Sequence, residues 1–190
     1  TGADGRTERG LIGTILRIRY ELIEQLDEDA MFTLYKARDR VAAKEVAIRT
    51  LQPPFDRETR FIEKLKEVIG KVATLHTGVE RMIEVDEHEG STFIVGDLAP
   101  GFTLEDRIRK LAPFSAPVAV NIAIGIAEAL DACHRAGITH GDLAARNIVV
   151  SAAGAVKLRQ VGLWESFSSS RTAGAVALPS MAPYLAPEIS

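Results

Sequence analysis

The chain has 190 residues, 46% of them apolar and 26% charged, with a formal net charge of −3. These are the values of a folded globular chain, and they exclude both a disordered segment and a broadly basic nucleic-acid surface. One cysteine, Cys133, leaves no internal disulfide, which fits a reducing, cytoplasmic compartment, and the four histidines are too scattered to build a metal cluster with it.

In chain order, residues 1–18 are assigned to an N-terminal arm that opens with Gly, Thr and charge. Three short alternating runs follow, at 20–26, 31–39 and 44–51. They predict antiparallel strands joined by the polar turns DEDA and RVAA, and Pro53 and Pro54 end the third. The period then changes. Phe61, Leu65, Val68, Ile69 and Val72 share one face of a helix within 57–75. Residues 82–88 and 91–98 read as a hairpin around Glu89 and Gly90. A helix at 103–111 opens on a Thr N-cap with an acidic first turn. The segment 118–137 is apolar nearly all round and is expected to be a buried helix, with Cys133 as a buried structural thiol. No apolar run is read as membrane-spanning. The loop THGDLAARN (139–147), two short strands, the polar loop ESFSSSRTAG and finally PYLAPE complete the chain.

The order and punctuation of these elements resemble a eukaryotic-type protein kinase domain over about residues 19–190. HGDLAARN is similar to H-R-D-L-x-x-x-N except at Gly141, and VAIR to V-A-I-K except at Arg49. VKLRQVGL stands at the strand leading into D-F-G, and PYLAPE at the end of the activation segment. DLAARN has the form seen in tyrosine kinases, while the rest reads equally like bacterial serine/threonine-type kinases.

The resemblance implies an α+β, two-lobe fold. A five-stranded antiparallel N-lobe sheet with one helix would cover 19–98, and a truncated, mostly helical C-lobe 99–190. It also implies roles. Asp142 would take the catalytic-base position and Asn147 a magnesium-ligand position, while His140 would support the loop from inside. Gly96 would be the gatekeeper, with Asp97, Leu98 and Ala99 the hinge that meets an adenine. The plainer reading of a loop Asp and Asn is backbone capping.

Four departures fall on the nucleotide side. Asp27, Asp29 and Phe32 stand at the three positions of the glycine-rich loop. Side chains and carboxylates therefore occupy the approach of a polyphosphate, although DEDA also reads simply as a polar hairpin turn. Arg49 replaces the strand lysine, and a salt bridge to a helix carboxylate is its plainer role. Gln160 replaces the metal-binding aspartate, a poor exchange for a hard cation. The helix partner of Arg49 stays open between two counts, one giving Glu67 and the other the Lys64 position; Glu67 is the first choice. Gly141 also removes the arginine that would hold a phosphorylated activation loop, although SFSSSRT (166–172) offers hydroxyls.

The expectation is a pseudokinase without efficient phosphotransfer, acting as a scaffold or regulatory protein-binding module of a longer signalling protein. No metal and no cofactor are expected. The alternatives are a divergent active kinase using ATP and magnesium, with Asp142, Asn147 and Arg49 carrying what activity remains, and a non-catalytic nucleotide sensor. Partners are expected to be proteins or adjacent domains of the parent chain, with self-association through an exposed C-lobe face as the second expectation. Gly96 opens the prospect of a rear cavity unless Met82, Phe93 or another neighbour fills it.

Overall fold

The structure, a computed structural model, describes residues 11–167 except Ala30 and Pro54. The expected loop and PYLAPE beyond residue 167 lie outside the described residues. Strands β1 (Ile15–Leu16), β2 (Tyr20–Glu28), β3 (Phe32–Asp39), β4 (Lys44–Leu51), β5 (Met82–His88) and β6 (Ser91–Asp97) form one antiparallel sheet in the order β1-β2-β3-β4-β6-β5. Helix α1 (Thr59–Val72) is inserted between β4 and β5. The second lobe holds β7 (Phe102–Thr103), α2 (Leu104–Leu111), α3 (Ala116–Arg135), β8 (Ile148–Val150), β9 (Val156–Leu158) and α4 (Leu163–Phe167), with a small β7-β8-β9 sheet.

The sheet has six strands where five were expected. The extra one lies in the segment assigned to the arm: Leu16 pairs with Tyr20, and its side chain is buried. The reason is packing. Strands β2, β3, β4 and β6 bury residues on both faces of the sheet, so each face needs a cover. Leu16, Tyr20, Leu22, Tyr35, Ile48 and Phe93 make the outer cluster. The inner face packs on α1, whose stripe of Phe61, Leu65, Val68, Ile69 and Val72 is fully buried as its spacing predicts.

In the second lobe, Thr103 caps α2 by accepting a hydrogen bond from the Asp106 amide at 3.0 Å. The expectation that α3 is buried is corrected. Only Ile122, Ala129 and Cys133 are buried, while Val118, Val120 and Ile124 are about half exposed, because little of the described chain lies against its outer side. By length and composition alone α3 also passes for a membrane-crossing helix, contrary to the sequence reading. Its buried residues join the main core, which makes it a helix of the second lobe.

Because α1 is held by apolar contacts, Leu65→Ala should lower the unfolding free energy by about 2–5 kcal/mol, measured by urea denaturation.

Candidate functional site

The loop before β8 carries the strongest motif, and its geometry follows from burial. Asn147 is 1% exposed. Its side-chain amide donates to the Asp142 carbonyl at 3.0 Å and to Asp142 Oδ2 at 2.8 Å. Arg146 Nη2 donates to both carboxylate oxygens of Asp142, at 2.8 and 2.9 Å. Burial raises the Asp142 pKa above the ordinary value, and the nearby charge of Asp29 pushes the same way, against the pull of Arg146 and Asn147. His140 is 3% exposed, and its Nδ1 accepts from the Asp142 amide at 3.3 Å. Burial lowers its pKa to about 4, so it is neutral near pH 7.

Arg49 reaches the cleft from β4 and is wholly buried. Its Nη2 donates to Glu80 Oε2 at 2.6 Å, and Glu80, in the connection between α1 and β5, is 2% exposed. This corrects the Glu67 assignment. Glu67 faces outward on α1 and binds Lys64 at 3.0 Å and Lys71 at 2.6 Å. The apolar stripe of α1 occupies the inward face, which leaves Glu67 on the wrong side of the helix. Gly96 explains where the longer side chain goes. A Cβ there would lie 3.1 Å from the Arg81 carbonyl oxygen and 3.8 Å from Arg49 Nη1. The space behind the gatekeeper position is thus approached by the Arg49 guanidinium itself. Its Nε and Nη1 have no hydrogen-bond partner.

The acidic turn is more than a plain hairpin turn. Asp29 does play that part, accepting from the amides of Met31 and Phe32 at 2.7 and 2.8 Å. Asp27 instead crosses to the second lobe, where its carboxylate meets Arg159 Nη2 at 3.2 Å. Arg159 follows β9, is 7% exposed, and also donates to the Arg146 carbonyl at 2.7 Å. Burial and the neighbouring charge of Arg49 both lower its pKa. Gln160 stands next to it with φ +61°, a left-handed conformation in which its carbonyl accepts from the Leu163 amide. Val161 is buried in the main core.

The remaining expected positions are placed as follows. Asp97 ends β6 and turns its carboxylate to Arg81 at 3.1 Å and Lys44 at 3.6 Å. Leu98 and Ala99 continue from it, half-buried, toward β7. Gly141 has φ +77°, and a Cβ on it would lie 2.3 Å from Trp164 Cβ, so Trp164 of α4 packs directly on the loop where the motif usually carries arginine. Helix α4 also leans on α1 through Glu165 and Lys64 at 3.5 Å.

The structure therefore joins Asp142 to Asn147 and Arg146, links that loop through Arg159 to Asp27, sets Gly96 against Arg49 and Glu80 beyond it, and leaves Glu67 on the outer side of α1. Four contributors were missed from sequence: Glu80, Arg146, Arg159 and Trp164. Glu80 had a faint signal, a lone carboxylate in the run VERM whose apolar neighbours Val79 and Met82 are buried. A magnesium ion, which this frame would hold in an active kinase, does not fit the residues present. Gln160 is neutral where the pattern has a carboxylate, and the buried cation Arg159 stands next to it; Asn147 gives only its Nδ2 to Asp142, so the misfit lies at Gln160 and Arg159.

A six-stranded antiparallel sheet with one helix, followed by a mostly helical lobe that carries the Asp142–Asn147 loop, defines a protein-kinase-like fold. The chain belongs to the protein kinase family: the protein kinase domain model matches residues 20–190. It is 32% identical, over 94% of its length, to a probable serine/threonine-protein kinase of Clostridium perfringens, and 29% identical, over 93%, to the probable serine/threonine-protein kinase PknB of Lactococcus lactis. It spans only 26% and 28% of those two proteins, about a quarter of their length. The kinase domain of Mycobacterium tuberculosis PknI shares its fold, with a TM-score of 0.67 at 23% identity over 80% of this chain and 62% of that one.

Breaking the buried pair from one side leaves an uncompensated guanidinium. Glu80→Gln should lower the unfolding free energy by about 3–5 kcal/mol in urea titrations, whereas Glu67→Ala should leave the midpoint unchanged. The neutral His140 sets a pH dependence of definite sign. Its folded pKa lies below the unfolded value of about 6.5, so its contribution is complete above pH 6.5 and is lost as pH falls toward about 4. Urea unfolding of the wild type should weaken by up to ~1.4 kcal/mol per pH unit across that window, and His140→Asn should remove that part of the slope.

Proposed function

We propose that this kinase-family chain is a pseudokinase, a regulatory or scaffolding domain that binds protein partners or adjacent domains and does not transfer phosphate efficiently. The observation that carries the reading is the charge of the cleft. Arg159, buried and bonded through its amide to the Asn147 carbonyl, and the neutral Gln160 put a cation and no carboxylate where the family pattern would hold a magnesium ion. Arg49 is committed to Glu80 behind Gly96, which turns the strand cation away from a phosphoryl donor. Phosphoryl transfer depends on charge neutralisation by metal and on backbone amides that approach the phosphates. Here the carboxylates of Asp27 and Asp29 stand where such amides would approach, and Gln160 stands where a metal carboxylate would. A second reading, weak phosphotransfer, is favoured by the intact contact between Asn147 and Asp142.

The test is thermal unfolding of the chain with ATP, with and without magnesium, each titrated to about millimolar concentration, together with a phosphotransfer assay. The expected outcome is no magnesium-dependent rise in midpoint and no transfer. Gln160→Asp should not create such a rise, since Arg159 remains beside it. Magnesium-dependent stabilisation with transfer that Asp142→Asn abolishes would establish the second reading, and stabilisation without transfer a nucleotide sensor.

A further inference from the structure

We propose that the contact between Asp27 and Arg159 is an interlobe latch, an ion pair internal to the chain that holds the acidic β2–β3 turn down on the catalytic loop. The proposal deepens the reading above and rests on it, because the latch joins the two segments that would otherwise hold a phosphate group between them.

The two residues are 132 positions apart, one at the end of β2 in the first lobe and the other after β9 in the second. Both ends are prepared. The register between β2 and β3 shifts between Gln25 and Asp27, a bulge that bends the strand just before the carboxylate. Asp29 caps the turn that follows. On the other side, the Arg159 amide donates to the Asn147 carbonyl at 2.8 Å, and its guanidinium to the Arg146 carbonyl at 2.7 Å. Arg159 is nine-tenths buried, so water cannot satisfy its charge, and the Asp27 carboxylate is the anion hydrogen-bonded to it.

A continuous path results. Asp27 binds Arg159, Arg159 binds the backbone of Arg146, and the Arg146 side chain binds Asp142. The turn of the first lobe is thereby tied to Asp142 through side chains and backbone of the chain itself. Asp27 remains 46% exposed, so the latch is open to screening by salt.

The experiment is amide hydrogen exchange of the chain, read at residues 24–33 and 140–147. Asp27→Asn should speed exchange in both segments by about tenfold. Asp27→Glu should restore most of the protection. Raising salt from about 0.05 M to about 1 M should speed exchange in the wild type and not in Asp27→Asn. Exchange in Asp27→Asn equal to the wild type, or salt acting equally on both, would overturn the latch. Arg159 keeps the Arg146 carbonyl and the nearby charge of Glu80 when Asp27 is replaced, and far-UV circular dichroism checks that each variant is folded; the salt arm on the wild type judges the latch whatever becomes of the variants. Where Arg159→Met folds, it should match Asp27→Asn, and the double variant should go no further; additive effects would overturn the proposal. Adding magnesium and ATP to the wild type separates the two ideas. Slowed exchange there would sink the pseudokinase reading, while the salt and Asp27 arms would still judge the latch.

Discussion

A guanidinium removed from water must be given an anion, and in this protein that requirement organises the cleft. Arg49 is fully buried on β4, and the carboxylate it finds belongs to Glu80, beyond the end of α1. The geometry follows from length. Arginine reaches farther than lysine, and Gly96 leaves its far end room behind the sheet. Once that pair forms, α1 owes its position to apolar packing, and its own carboxylate, Glu67, is free to bind lysines on the outside.

The same constraint applies a second time to Arg159. Burial beside Arg49 makes its charge costly, and the nearby charge of Glu80, the Asp27 carboxylate and the Arg146 carbonyl offset the cost. An acidic turn that would repel a polyphosphate is useful to a buried cation. The departures from the kinase pattern thus complement one another: acid at 27 with base at 159, and glycine at 96 with arginine at 49. The Gly141 position shows the same complementarity in shape, since Trp164 packs where an arginine side chain would have emerged.

The described positions that match the kinase pattern are mostly buried. His140, Asn147 and the apolar stripe of α1 are all under 4% exposed, and each is held by contacts that any chemistry at the cleft would share. Asp142 keeps its amide and guanidinium partners although the metal side is altered. Packing of the loop and the charges beside it answer to different forces, so one can match the kinase pattern while the other departs from it. This separation is why family membership by itself does not settle activity.

The sequence by itself determined the element order, the inward face of α1, the cap at Thr103 and the placement of Asp142 and Asn147. Each of these rests on local periodicity or on a contiguous motif. It also showed that Gln160 and the DEDA turn break the pattern, since a change of residue type at a motif position is visible without coordinates. The sixth strand was not legible, because Ile15 and Leu16 are too few to set a period and pair only where the outer face of the sheet needs a cover. Nor was the exposure of α3, which depends on what lies against it. The partners of the buried arginines were decided by tertiary structure alone. Glu80 lies 31 residues from Arg49 and Asp27 lies 132 from Arg159, and long-range ion pairs carry no spacing rule. They form when packing removes a guanidinium from water and the fold brings a carboxylate from a distant segment within reach of it.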